Sequence, residues 1–172
     1  MLIDVNERTR NHAKLPHELS LVNLAAFHLF AGPAAIVLDI GLWGFLVPLG
    51  LSLSFISYVW LRAQWAQSHE SWYIAAHWRL AANRTKVLLV GYLICALLLA
   101  IAEIISAESS KSEIMMIALS RVAIVPVLIT VMISFVLGTS AVAQARRGEI
   151  PDSLARKFPP SANQVLLENT PE

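Results

Sequence analysis

Hydrophobic residues are gathered into three long stretches, 20–61, 87–105 and 114–145, each with a single acidic or basic residue if histidine is left aside. A helix needs about 20 predominantly apolar residues to cross a bilayer. The first stretch has the length of two crossings, and the glycines, acid and tryptophan of residues 38–44 mark the break between them. Backbone groups in lipid must be hydrogen-bonded within their own segment, so each crossing must be helical. The pattern predicts four spans, at about 20–38, 45–61, 87–106 and 114–143.

Lysine and arginine residues are concentrated in every second segment that flanks or connects these spans. Of 13 such residues, 11 precede span 1, lie between spans 2 and 3 or follow span 4. The loop between spans 3 and 4 contains one, and the turn between spans 1 and 2 contains none. Cytoplasmic loops are the ones enriched in these residues. The predicted fold class is therefore an all-α integral membrane protein, with four helices in two antiparallel hairpins and both termini in the cytoplasm.

Three regions follow from this pattern. Residues 1–19 form a cytoplasmic N-terminal segment, 20–149 a four-helix membrane domain, and 150–172 a proline-containing cytoplasmic tail that we expect to be extended or disordered. The helix of span 4 is predicted to run from about Lys111 to Arg147. It is preceded by a capping-box pattern at 110–113, and Gly148 follows two basic residues as a C-terminal glycine does.

The segment 62–86, between spans 2 and 3, contains four large aromatic residues and neither proline nor glycine. Its composition predicts an extension of the second helix followed by an interfacial helical segment. Tryptophan and tyrosine favour the headgroup region, and basic residues beside them face lipid phosphates. A protein partner is the alternative occupant of the same surface. The predicted lipid or partner interface consists of Trp65, Trp72, Tyr73, Trp78, Arg79, Arg84, Arg146 and Arg147.

The composition agrees with a membrane protein and argues against several kinds of binding and catalytic site. Charged residues make up 15% of the chain, against roughly 25% in soluble domains. The net charge of +1 gives no sign of a nucleic-acid-binding surface. A single cysteine excludes an intramolecular disulfide and a cysteine-rich metal site. With no carboxylate pair inside a span, no zinc-protease motif and no glycine-rich phosphate loop, we expect neither catalysis nor a metal centre.

Ionisable residues inside membrane spans are candidate functional residues. Arg121, Glu103 and Asp39 all lie toward the predicted outer side. They form an ion site if the chain is a small oligomeric transporter or channel. The alternative is structural: Arg121 pairs with Glu103, or its side chain extends to the outer surface.

His28 is the other candidate, because it lies about 12 Å along span 1 from the cytoplasmic end. At that depth a histidine can ligate heme b, contact a quinol or hydrogen-bond a neighbouring helix. Its possible axial partners, His69 and His77, are predicted to lie too close to the interface. An electron-transfer subunit is therefore an alternative function.

The function that these features favour is a small non-catalytic subunit of a larger membrane complex, with an assembly, stabilising or docking role. Its partners are the bilayer and other membrane proteins, and nucleic acid is not among them. The charge pattern is that of a bacterial inner (plasma) membrane protein, although an organelle inner membrane follows the same rule.

Overall fold

Helices dominate the chain, as the sequence predicts. The computed structural model describes residues 1–38, 43–107 and 111–160. The elements, in chain order, are α1 (Glu7–Asn23), a π-helical stretch (Leu24–Ala31), α2 (Gly32–Val37), α3 (Trp43–His69), α4 (Trp72–Ala107), α5 (Ser112–Arg147) and α6 (Asp152–Lys157).

Three helices are long and apolar enough to cross a membrane: α3 over Leu46–His69, α4 and α5. These lengths and compositions suggest a membrane protein. At 36 residues each, α4 and α5 are about 54 Å long, well beyond a hydrocarbon core of about 30 Å. The residues of predicted span 1 are helical too, but they are divided among α1, the π-helical stretch and α2.

The helix ends have local causes. The Asn6 side chain accepts a hydrogen bond from the Thr9 N–H at 2.8 Å, which caps the start of α1. The π-helical stretch ends directly before Gly32 and Pro33, and proline has no N–H to donate to the helical ladder. Helix α5 ends as predicted, since Gly148 follows it with φ of 75°.

The segment 62–86 differs from its prediction in one respect. Helix α3 continues to His69, in agreement with the predicted extension of the second helix. Residues 72–86, however, are not a separate interfacial helix: they are the first turns of α4. No proline interrupts 72–107, so the helix continues into the apolar stretch.

The chain divides into two compact units. Unit 1 contains Met1–Arg84 and the residues from Phe135 onward, and unit 2 contains Thr85–Ser134. Within unit 1, α1, the π-helical stretch and α2 all contact α3. Within unit 2, α4 and α5 approach closely at Gly91, where the Thr130 side chain occupies the place that a Cβ atom would take.

The C-terminal segment begins with folded structure. The sequence predicts an extended or disordered tail from Ile150, but residues 152–157 form α6, and Ile150 and Leu154 are buried. These two apolar residues are four positions apart, which is a spacing that brings them to one side of a turn. Residues 161–172 lie outside the described part of the chain.

Candidate functional site

Unit 1 contains a buried cluster, which we call the head core, built from distant parts of the sequence. It joins the N-terminal residues and α1 to the start of α4, the end of α5 and α6. Large aromatic side chains from α4 fill its centre, and alanines on α5 let the helices approach. Its members are Ile3, Val5, Ala13, Trp72, Tyr73, Ala76, Leu80, Ala141, Ala145, Ile150 and Leu154.

The N-terminal residues are attached to the end of α5 by backbone hydrogen bonds. The Ile3 N–H donates to the Gly148 carbonyl, and the Ile150 N–H donates to the Met1 carbonyl, both at 2.9 Å. Gly148 has φ of 75°, and a Cβ atom at this position would meet the Ile3 carbonyl oxygen. Glycine is therefore required here both by its conformation and by the close approach of the N-terminal segment.

A pair of histidines is buried beside the head core. His17 Nε2 lies 3.0 Å from His77 Nδ1, which is a hydrogen bond between residues 60 positions apart. The two rings meet edge to face at 5.2 Å, and the Tyr73 ring lies 4.7 Å from that of His77. Tyr73 itself donates from its hydroxyl to the Ala145 carbonyl at 2.9 Å. The pair therefore connects α1 to α4 next to the α4–α5 contact.

The contact between the two histidines does not accommodate two charged rings. One of the two facing nitrogens must donate and the other accept, so both cannot carry protons. Burial, followed by the nearby His77 and Arg84, holds the pKa of His17 well below its usual 6.5. His77 Nε2 is also buried, and no hydrogen bond of normal geometry joins it to the described residues, although the Glu149 backbone lies close to that ring. The pair is an internal connection and has no open face toward a ligand.

Arg84, which is predicted at the lipid surface, forms hydrogen bonds within unit 1. Its guanidinium donates to the Leu137 carbonyl and, at 3.3 Å, to the Gln144 side-chain oxygen, so it connects α4 to the last turns of α5. This side chain is half-buried. These hydrogen bonds direct the guanidinium toward α5, so its main contacts in the described residues are within the chain and not with the lipid phosphates that the sequence suggests.

The four predicted interface aromatics separate into two groups. Trp72, Tyr73 and Trp78 are at most 2% exposed, so they face neither lipid nor a partner. The N-terminal and C-terminal segments cover Trp72 and Tyr73, and the Trp72 Nε1–H donates to the Phe158 carbonyl at 3.0 Å. Trp78 packs instead against residues of α3. Trp65 alone of the four is exposed, with 46% of its surface accessible.

Trp65 is the centre of a small exposed group at the end of α3, which we call the Trp65 patch. His69 stacks flat on it with ring centroids 4.4 Å apart. The Arg62 guanidinium also lies over the Trp65 ring, 3.8 Å from the ring centroid, and forms an ion pair with Glu70 at 2.7 Å. Trp65 therefore presents exposed apolar surface beside a cation and a second ring, and both contacts restrain its side chain.

The remaining predicted basic residues differ in their exposure. Arg146 and Arg147 are exposed at the end of α5, and Arg147 pairs with Glu149 at 2.9 Å. Arg79 is half-buried, with its guanidinium 4.9 Å from the Phe158 ring centroid. Positive charge thus remains at the surface beside the head core.

Among the described residues, the charged candidates inside the predicted spans do not form an ion pair with each other. Glu103 and Arg121 are both exposed, and none of the ion pairs in the described ranges joins them. Asp39 lies outside the described residues. Cys95 is half-buried in α4.

His28 lies within the π-helical stretch, is half-buried, and interacts with other parts of the chain. Neither of the two histidines considered as a second axial ligand is presented to it: His77 is bonded to His17, and His69 stacks on Trp65. Across residues 1–38, 43–107 and 111–160, no group of three or more His, Cys, Asp or Glu residues is placed to hold a metal ion.

Sequence reasoning missed His17, and the signal for it is weak. Ala13, Pro16, His17 and Asn23 form the buried side of α1. This side contains too few apolar residues to stand out as a hydrophobic stripe, although the positions repeat at helical spacing.

Comparison of the chain with known protein families, curated proteins and solved structures finds no match.

Proposed function

We propose that this chain is a small non-catalytic integral membrane subunit that crosses the membrane four times and docks to another membrane protein through a folded cytoplasmic head. This head comprises the head core, the His17–His77 pair and the Trp65 patch. The observation that carries the proposal is the head core. In this cluster, aromatic side chains next to the predicted spans are packed inside a folded structure. A folded surface held on membrane helices is suited to assembly with a partner.

Contacts within unit 1 support a first crossing. The helical run from Glu7 to Val37 begins beside the head, since His17 contacts His77 and Ile3 contacts Gly148. Helix α3 also ends beside the head, because Trp78 packs with residues of its last turns. The start of α3 is about 40 Å away along its 27 residues. The run must therefore cover a comparable distance before it joins α3, which is the length of a membrane crossing.

The lysine and arginine distribution supports the orientation. Both termini and the α3–α4 turn belong to the basic side of the chain, and the positive-inside rule assigns that side to the cytoplasm. A bacterial inner membrane fits this pattern.

Labelling of single cysteines in a Cys95→Ala background tests the four crossings. Asn11, Ser112 and Ser153 are exposed and suit substitution by cysteine. In intact cells, a membrane-impermeant maleimide should label the Ser112 position, while the other two positions should react only after permeabilisation. Labelling of the Asn11 position from outside would refute a first crossing.

The Trp65 patch is the proposed docking surface. Interface residues that dominate binding are enriched in tryptophan and arginine, and they are most effective when they are held rigid before binding. Trp65 meets both conditions through Arg62, His69 and the ion pair to Glu70. It also follows directly after the apolar part of α3, at the depth where a neighbouring membrane protein would meet it.

The docking function is tested by mass measurement of complexes extracted in mild detergent from the native membrane. We expect a defined heteromeric assembly that loses its partner when the chain carries Trp65→Ala. Gln64→Ala, which changes an exposed neighbour on the same turn, should leave the assembly intact. A chain that shows no heteromeric assembly, or one that is equally stable with both variants, would refute the docking proposal.

A further inference from the structure

Two exposed side chains of opposite charge interrupt the apolar surface of unit 2. Glu103 lies on α4 and Arg121 on α5, each as the single charged residue of its apolar stretch. The ion pairs of the described residues include neither of them. A charged side chain at membrane depth is costly unless it finds a counter-charge or reaches water. The question is therefore what these two groups meet in the membrane.

Helix geometry explains why they do not meet each other in one chain. Ala123 is 1% exposed and marks the covered side of α5, and Arg121, two residues earlier, lies about 200° around the helix from it. On α4 the covered side is marked by Ala102, and Glu103 lies about 100° from it. Arg121 thus points away from the covered side, and Glu103 lies on its flank.

The two charges are nevertheless brought to a similar depth. Glu103 is four residues before the end of α4, about 6 Å along the axis, and Arg121 is nine residues after the start of α5, about 13.5 Å along it. Side chains on helices lean toward the N-terminus of their own helix. Arg121 therefore leans toward the α4–α5 loop and Glu103 leans away from it, which reduces the difference in depth.

We propose that a second copy of this chain supplies the counter-charges. In a two-fold dimer Arg121 of each copy pairs with Glu103 of the other, so that one interface satisfies all four charges. Charge complementarity favours this occupant over lipid, because a lipid phosphate neutralises Arg121 but leaves Glu103 facing an apolar or anionic environment. The inference requires α4 and α5 to span the membrane, and it is independent of docking at the Trp65 patch.

The test is charge reversal with rescue. Full-length copies with Cys95→Ala and Ser153→Cys are labelled with donor or acceptor dyes and reconstituted in phosphatidylcholine bilayers, where energy transfer is measured against protein density. Arg121→Glu and Glu103→Arg should each weaken self-association by roughly tenfold or more, because each places like charges together. The double variant restores opposite charges and should return association to within about threefold of the starting protein. Glu113→Arg reverses an exposed charge in the first turn of α5 and should have little effect.

The outcomes separate the possible partners. Rescue in the double variant supports direct pairing between copies, since a general loss of folding would not be reversed by a second charge reversal. Absence of self-association in the starting protein, or single variants that associate as well as it does, would overturn the inference. If these variants keep the heteromeric assembly, the docking function is unaffected by the result. Either proposal can therefore be refuted without the other.

Discussion

Replacement of His17 by leucine removes the imidazole that hydrogen-bonds to His77, while it keeps most of the buried side-chain volume. The His77 Nδ1 atom then has lost its partner in a buried environment, and its Nε2 atom already has none of normal geometry among the described residues. An unsatisfied buried polar atom costs about 1–3 kcal/mol. We therefore expect the free energy of unfolding of the head to fall by about that amount at pH 8.

The same substitution should reduce the dependence of stability on pH. His17 is held neutral in the folded chain, because burial first and then His77 and Arg84 lower its pKa well below 6.5. In the unfolded chain it takes up a proton as the pH falls below about 6.5, so acid stabilises the unfolded state. Its contribution is complete above pH 6.5 and is lost below it. One such histidine lowers the free energy of unfolding by about 1.4 kcal/mol between pH 8 and pH 5.5.

Tryptophan fluorescence gives a direct assay, since Trp72 and Trp78 are buried in unit 1. Denaturant unfolding in detergent at pH 8 and pH 5.5 should show a smaller pH effect for His17→Leu than for the starting protein. His12→Leu, at an exposed position of the same helix, is the matched control and should change neither the stability nor its pH dependence. An unaltered pH effect in His17→Leu would refute the assignment of His17 as a buried neutral group.

Two glycine substitutions test the close contacts. Gly91→Ala places a methyl group against Thr130 and should cost about 1–3 kcal/mol in thermal unfolding followed by circular dichroism; Gly50→Ala, with no atom within 4 Å of the added Cβ, should be neutral or slightly stabilising, and equal effects of the two would contradict the contact. Gly148→Ala should cost at least about 1–2 kcal/mol because of its positive φ. It should also speed hydrogen exchange at the Ile3 amide, and unchanged protection there would be inconsistent with the described pairing.

The long helices are predictable because several local signals agree. For α5 the sequence predicts 111–147 and the structure has Ser112–Arg147, since apolar content, a basic last turn and Gly148 all indicate the same ends. The π-helical stretch around His28 is not predictable in this way. Its apolar residues suit any helix type, and only Pro33 indicates an irregular ladder.

The head was not predictable because its contacts join residues far apart in sequence. Trp72 and Tyr73 have the composition of an interfacial belt, and nothing in their own segment shows that Ile3 and Ile150 cover them. Short apolar segments such as those around Ile3 and Ile150 are too short to show a periodic pattern, so the sequence does not indicate what they pack against. The His17–His77 bond is of the same kind: sixty residues separate two polar side chains whose neighbours carry no recognisable motif.

The pairing of the first residues with the end of α5 has a consequence for biosynthesis. Ile3 leaves the ribosome more than 140 residues before Gly148 and Ile150, to which its segment is bonded. Because contacts of such long sequence separation form only once both partners exist, the head closes after the membrane helices have been made. A nascent chain that ends before Ala141 lacks α5 and α6 residues that pack on Trp72 and Tyr73. These aromatic side chains are therefore accessible to chaperones and proteases during synthesis and are buried once the head has folded.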